Sequence, residues 1–340
     1  MKVCQFLSAG TGGLAKHVID LSNSLSVGGH DVCAITPVES SRELDSKIVH
    51  VDIKPEKKIK SLLYTFKLFL AIRKLNPDVV HAHGKNSSVH LARIKPFIRA
   101  KCVGTIHWHQ KRERDFRGFE KMDGVIGVGP GVFGPLKNKS RIVIYNGISE
   151  IQNFDMPKSE FLESWDLDST LPMAVAVGML SRGKGFHLLV EAWQGVEANL
   201  VIAGEGPERQ QLIGQVSELG LEGRIRLVGQ IPEASRLLRI ADLAIVSSYK
   251  EGFSYVVAEA LLSKTPIIST KMDGADVLLP SEALVPVGDV GAINNKIREF
   301  FSNPSRFEKN FKKLFFWAEH ELLLEKMREK TLCFYKSLED

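Results

Sequence analysis

The sequence predicts an α/β protein built from two doubly wound, parallel-sheet domains. Three observations lead there. Short apolar runs alternate with helical patterns along most of the chain, the rhythm of βαβ units. That rhythm breaks in the polar stretch 150–170 and restarts at "MAVAVG" (173–178). Nearly every distinctive glycine or charged residue follows a strand-like run, where doubly wound sheets hold their ligands.

The elements follow in order. "KVCQFLS" is a strand, a helix is expected from about Leu14 to Val27, and "DVCAITP" is the next strand. A helix near 59–75 precedes "DVVHAH", and another precedes "CVGTIH", "GVIGVG" and "RIVIYNG". After the linker come "MAVAVG", "NLVIAGEG", "RIRLVG", "DLAIVSS" and "PIISTK". These series set the expected domains at 1–155 and 165–315, facing each other across a cleft. A helix at about 316–340 is expected to return to the first domain.

At 340 residues, with 44% apolar and 25% charged side chains, the chain has the make-up of a soluble two-domain protein. Its net charge of +5 does not call for nucleic acid, and suits an anionic ligand or an anionic membrane surface. Cys4, Cys33, Cys102 and Cys333 are scattered without a C-x-x-C pair, as expected of free thiols in a reducing compartment. The N-terminus enters a strand directly, unlike a signal peptide, and no apolar run reaches the ~18 residues of a membrane span. A cytoplasmic protein is expected.

Four motifs carry chemistry. "SAGTGGLAKHV" follows the first strand and opens a helix, so its amides can meet an anion. Gly10, Gly12 and Ala15 satisfy a loose G-x-G-x-x-A pattern, but the second strand ends in "AITP" without the acid that would hold an NAD ribose. "VGMLSRGKGFHLLVEAW" puts Arg182 and Lys184 in a turn before a helix, where two cations suit a diphosphate. "KEGFSYVVAEALL" sets Glu251 in a turn and Glu259 in an apolar helix. An acid in such company needs a cation or a polyol partner. Between the two acids, the amides of Gly252, Phe253, Ser254 and Tyr255 lead into a helix N-terminus. The fourth motif is a pair of His-x-His sequences, His81-Ala82-His83 and His107-Trp108-His109. They admit a rival reading as a zinc site for hydrolysis, weakened by the lack of a nearby carboxylate.

"ADLAIVSSYKEGFSYVVAEALLSKTPIIST" resembles the E-x7-E segment of the retaining glycosyltransferases of family four, which have the GT-B fold. The resemblance extends through "AGEGPE", "RIRLVGQIP", "VIYNGI" and "GTGGLAKHVIDLSNSLSVGGHDV", and covers about 1–290. It implies transfer of a sugar, with retention, from a nucleoside diphosphate to a hydroxyl acceptor. UDP is favoured and GDP is the other option. It also implies that Glu259 binds the ribose, Glu251 the transferred sugar, and the amides of 252–255 the phosphates. Lys184 would stabilise the departing diphosphate, with Arg182 beside it, and His107 would lie near the reaction centre. Gly12 and Gly13 match glycines that let the first domain approach the phosphates. His81, His83 and His109 become candidates for the acceptor pocket. Neither a cofactor nor a metal is implied.

Three positions depart from the family's habits. Met179 stands where an arginine is usual, Lys264 where a small residue, often glycine, is common, and Asp276 where glutamate is frequent. A sugar-nucleotide hydrolase or epimerase on the same scaffold, and a catalytically silent nucleotide-sugar-binding subunit, stand as alternatives. The acceptor is expected to be a saccharide or lipid-linked saccharide of a surface polysaccharide or lipopolysaccharide. Basic and apolar residues interleave in 54–75 and 90–102, which suits peripheral contact with the inner face of the cytoplasmic membrane.

Overall fold

The computed structural model describes residues 1–10, 12–38, 41–53, 62–108 and 112–338, the side chain of residue 308 excepted. The chain divides into two compact units, Met1–Gly147 with Glu321–Asp340, and Ile148–His320.

In the first unit the order is β1 (Lys2–Phe6), α1 (Gly13–Val27), β2 (Asp31–Ile35), β3 (Val49–Val51), α2 (Leu62–Leu75) and β4 (Val79–His83). There follow α3 (Gly84–Ile94), β5 (Lys101–Ile106), β6 (Gly124–Gly127) and β7 (Arg141–Val143). The seven strands pair in parallel in the order β3-β2-β1-β4-β5-β6-β7. Helices on both faces explain why a central strand such as β4 is buried along its whole length. The expected helix at 59–75 is described from Leu62 onward; residues 54–61 lie outside the described ones.

The second unit runs through α4 (Lys158–Ser164), β8 (Met173–Val177), α5 (Phe186–Glu191), β9 (Asn199–Ala203), α6 (Arg209–Glu218) and β10 (Ile225–Gly229). It continues with β11 (Leu243–Val246), α7 (Tyr255–Leu262), β12 (Ile267–Thr270), β13 (Leu284–Val285), α8 (Val290–Ser302) and α9 (Pro304–Glu321). Its parallel sheet has the order β10-β9-β8-β11-β12-β13. In each sheet the winding reverses once, between β1 and β4 and between β8 and β11. These reversals open the crevices in which such sheets bind ligands.

The last helix, α10 (Leu324–Lys336), belongs to the first unit and packs on α1. Its Met327, Phe334 and Tyr335 join Val3, Leu25, Val32, Val79 and Val103 in one core. A single helix over 316–340 is not what forms. Leu323 turns extended and Leu322 is fully buried, so the chain breaks between α9 and α10 to bury that leucine.

Candidate active site

In the second unit, the turns after β8 and β11 are tied together. Arg182–Lys184 forms a single 3-10 turn that ends on Gly185, whose φ is +68°. A Cβ on Gly185 would stand 2.2 Å from the Ser247 carbonyl oxygen, so both backbone angle and space demand glycine there. Ser247 Oγ donates to the Lys184 carbonyl at 2.9 Å, and the Tyr249 amide donates to the Gly183 carbonyl at 2.9 Å. This stitching brings Lys184 Nζ to 2.7 Å from Glu251 Oε1. Ser248 Oγ donates to the same oxygen at 2.5 Å. Two residues that the sequence separates by 67 positions thus form one half-buried charge pair.

Glu251 lies in the turn before α7 and Glu259 within that helix, half-buried and flanked by buried Ala258 and Ala260. Gly252 and Phe253 are half-buried, and Ser254 takes the extended N-cap conformation before Tyr255. The Ser254 side chain does not cap this helix start, no acid lies in its first turn, and among the described residues the buried Ser254 hydroxyl has no partner. A helix N-terminus left so is an electropositive surface for an anion. Arg182 is exposed on the same turn as Lys184, and Met179 is 60% exposed beside it. Lys264 has φ +60°, a left-handed angle that explains why glycine would be favoured there; its ammonium pairs with Glu319 at 2.9 Å.

In the first unit the functional candidates crowd the reversal between β1 and β4. Gly12 is exposed with φ +61° and Gly13 opens α1. His107 follows β5 and is buried, as are His81 and His83 on β4. His109 lies outside the described residues. His81 is fully enclosed: Nδ1 is 2.6 Å from Tyr335 Oη on α10, and Nε2 is 2.6 Å from Thr105 Oγ1. Both nitrogens are committed to the core, so this geometry gives His81 no hand in an acceptor pocket. His83 Nε2 stands 2.6 Å from Gln5 Oε1, and its Nδ1 faces His107 Nε2 at 3.4 Å. Burial holds His83 and His107 well below the ordinary imidazole range, with neighbouring histidines adding to the effect, so both are neutral near pH 7.

His17, on the first turns of α1, is the residue that sequence reasoning passed over. Its ring packs edge-on against His107, with centroids 4.6 Å apart, and burial lowers its pKa to about 4. The signal was present in "GGLAKHV": the position four after Gly13 shares that residue's face of the helix and so follows the loop to the sheet end.

Comparison with known proteins agrees with this architecture. The family model described as glycosyl transferases group 1 matches residues 157–314, and the one described as Glycosyltransferase Family 4 matches residues 11–150. The chain is 24% identical over 326 residues to the lipopolysaccharide core biosynthesis glycosyltransferase LpsE of Rhizobium meliloti, covering 90% of each chain. It is 22% identical to the D-rhamnosyltransferase WbpZ of Pseudomonas aeruginosa, over 89% of this chain and 82% of that one. Among solved structures, Anabaena HepE in complex with UDP superposes with a TM-score of 0.86 at 18% identity, covering 99% of this chain and 100% of that one. A glycosyltransferase from Rickettsia africae gives 0.86 at 19% identity, covering 100% and 98%.

Proposed function

Because this chain belongs to the glycosyltransferases of family four and has their GT-B fold, we propose that it carries a sugar from UDP, with GDP the other option, to a saccharide or lipid-linked saccharide. The observation that carries this reading is the Lys184–Glu251 pair beside the uncapped start of α7. Lys184, Arg182 and the amides of 252–255 hold the diphosphate, Glu259 takes the ribose hydroxyls, and Glu251 takes the transferred sugar. In the first unit, Gly12 and Gly13 shape the loop before α1, and His107 and His83 are the candidates for the sugar and acceptor. The bond from the anomeric carbon to the diphosphate breaks, the acceptor oxygen bonds that carbon with retention, and the acceptor proton goes to the departing diphosphate. No metal takes part in this chemistry. Charge on the leaving group is met by the cations and by oriented amides, where one well-placed donor is worth roughly 10²–10³ in rate.

The experiment is a calorimetric titration with UDP and GDP in EDTA, paired with turnover on lipid-linked and free saccharide acceptors. Glu259→Ala should weaken nucleotide binding, and Lys184→Ala should lower turnover by roughly 10²–10³ while the nucleotide still binds. A folded chain that binds neither nucleotide, or a Lys184→Ala variant with native turnover, would sink the assignment.

The acceptor class draws support from α2 and α3. Leu62, Leu63, Phe66, Leu70 and Phe97 are exposed, as are Lys67, Arg73, Lys74, Arg93 and Arg99. No acid occurs in 62–77 or 84–101. A cavity of about 530 Å³ opens among them, lined by Leu62, Phe66, Phe69, Ile94 and Phe97 with Arg93 at its wall. An apolar surface carrying several exposed cations suits an anionic bilayer, where each cation contributes about 1 kcal/mol. Among the described residues no helix is long and apolar enough to cross a membrane. The contact is therefore read as peripheral, from the cytoplasmic side, and the product as a surface polysaccharide or lipopolysaccharide precursor.

A further inference from the structure

Three histidines from three separate elements meet inside the first unit. His17 comes from α1, His83 from the end of β4 and His107 from the turn after β5, and one ring nitrogen of each lies within 4.8 Å of the others. Their ring centroids are 5.2, 4.6 and 5.6 Å apart. The two nitrogens that face each other, His83 Nδ1 and His107 Nε2, are 3.4 Å apart. Two imidazole nitrogens on one tetrahedral zinc ion, each at about 2.0–2.1 Å, stand about 3.3–3.4 Å from one another.

The surroundings orient the rings as metal ligands are oriented. Gln5 Oε1 is an acceptor only, so the His83 nitrogen that faces it at 2.6 Å carries the hydrogen and leaves the Nδ1 lone pair turned to the cluster. A ligating histidine is normally held from behind in this way. His17 is 4% exposed, and among the described residues neither ring nitrogen meets a partner at full hydrogen-bond geometry. Beside it stands Asn146, whose buried Oδ1 is also without a partner and can steady the ring as Gln5 steadies His83. A buried ring nitrogen without a partner is costly, and a cation between the rings would satisfy that of His17 while taking the lone pair that His83 Nδ1 turns to His107. The cluster also differs from the one that the two His-x-His motifs predict. His81 is withdrawn to Tyr335 and Thr105, and His17, distant in sequence, takes the place.

We propose that His17, His83 and His107 form a binding site for a divalent transition-metal ion of the zinc type, with the fourth position open to water. Three neutral imidazoles are a known ligand set for such an ion. The ion is an inhibitor and not a catalyst, since it occupies His107. That consequence, unlike binding itself, rests on the role given to His107 under the proposed function.

The test uses the untagged full-length chain, stripped with chelator and titrated with Co²⁺ as a spectroscopic stand-in for Zn²⁺. The expected result is the ligand-field absorption of a tetrahedral cobalt site, saturating at one ion per chain and displaced by Zn²⁺. His17→Gln and His107→Gln should each lose the bands, and His320→Gln should keep them. Cobalt should also raise the thermal midpoint of the native chain but not that of His17→Gln, so a variant that folds poorly does not decide the matter alone. Absence of the bands from the native chain, or their survival in a folded His17→Gln, His107→Gln double variant, overturns the proposal. UDP titration separates the two readings. Cobalt bands without nucleotide binding count against the proposed function only, and nucleotide binding without cobalt bands counts against the metal site only.

Discussion

At the scale of the residue, the buried histidines make the first unit sensitive to acid. His17 is held at about 4 instead of the ordinary 6.5, with burial the main cause. The unfolded chain therefore takes up this proton first as pH falls. The stability tied to the neutral ring is complete above about pH 6.5 and is lost progressively toward about pH 4, on the order of 3 kcal/mol from this ring alone. His81, His83 and His107 are lowered for the same reason and act in the same direction. Thermal unfolding between pH 7 and 4.5 should show a steeply falling midpoint, with a shallower fall in His17→Gln. Equal slopes would show that the ring is protonated in the fold without penalty. The grouping itself was beyond sequence reading, because it depends on sheet register. Gln5 pairs with His81, so the side chains of β1 and β4 share a face, and nothing local in "HAH" states that. Glu251 and Glu259 were more legible, since Gly252 marks a turn and the apolar run after it has the composition of a buried helix.

At the scale of the element, the 3-10 turn 182–184 is held in place by its final glycine. Gly185→Ala would force a side chain into a left-handed angle and against the Ser247 carbonyl. The angle alone costs roughly 1–2 kcal/mol, and the contact adds to it. Calorimetric unfolding should show a lowered midpoint, and the displaced turn should carry Lys184 away from Glu251, so nucleotide binding should fall as well. Unchanged binding in a destabilised variant would separate the turn's stability from the donor site. Helix α2 supports a different prediction. Phe66→Glu replaces an exposed apolar group on a cationic face. It should weaken cosedimentation with phosphatidylglycerol vesicles about tenfold, while phosphatidylcholine vesicles bind neither form. Equal sedimentation of both forms would remove the membrane reading. The alternation of strands and helices was readable because each parallel strand is buried on both faces and each helix on one. The break at Leu322–Leu323 was not, because the helical pattern runs on across it and only the burial of Leu322 halts it.

At the scale of the whole molecule, the first unit is made of two distant stretches joined by α10. The hydrogen bond between Tyr335 Oη and His81 Nδ1 spans 254 positions and lies in the core. Tyr335→Phe keeps the ring and removes the hydroxyl, leaving a buried imidazole nitrogen without its partner. A loss of about 1–3 kcal/mol is expected in denaturant unfolding, monitored on the first unit. A variant as stable as the native chain would mean that His81 finds another partner.

The discontinuous first unit also bears on synthesis. A ribosome delivers β1 through β7 well before α10, so a growing chain holds seven strands whose covering helix does not yet exist. The groove that Met327, Phe334 and Tyr335 fill stays open to water, and His81 Nδ1 lacks its tyrosine partner, until residues beyond 320 have emerged. The second unit is one continuous stretch and has all its own residues by then. Its maturation is thus expected to precede that of the half made before it, the reverse of the usual order on the ribosome. The burden of chaperone protection falls on the earlier half, for as long as translation of the later one lasts.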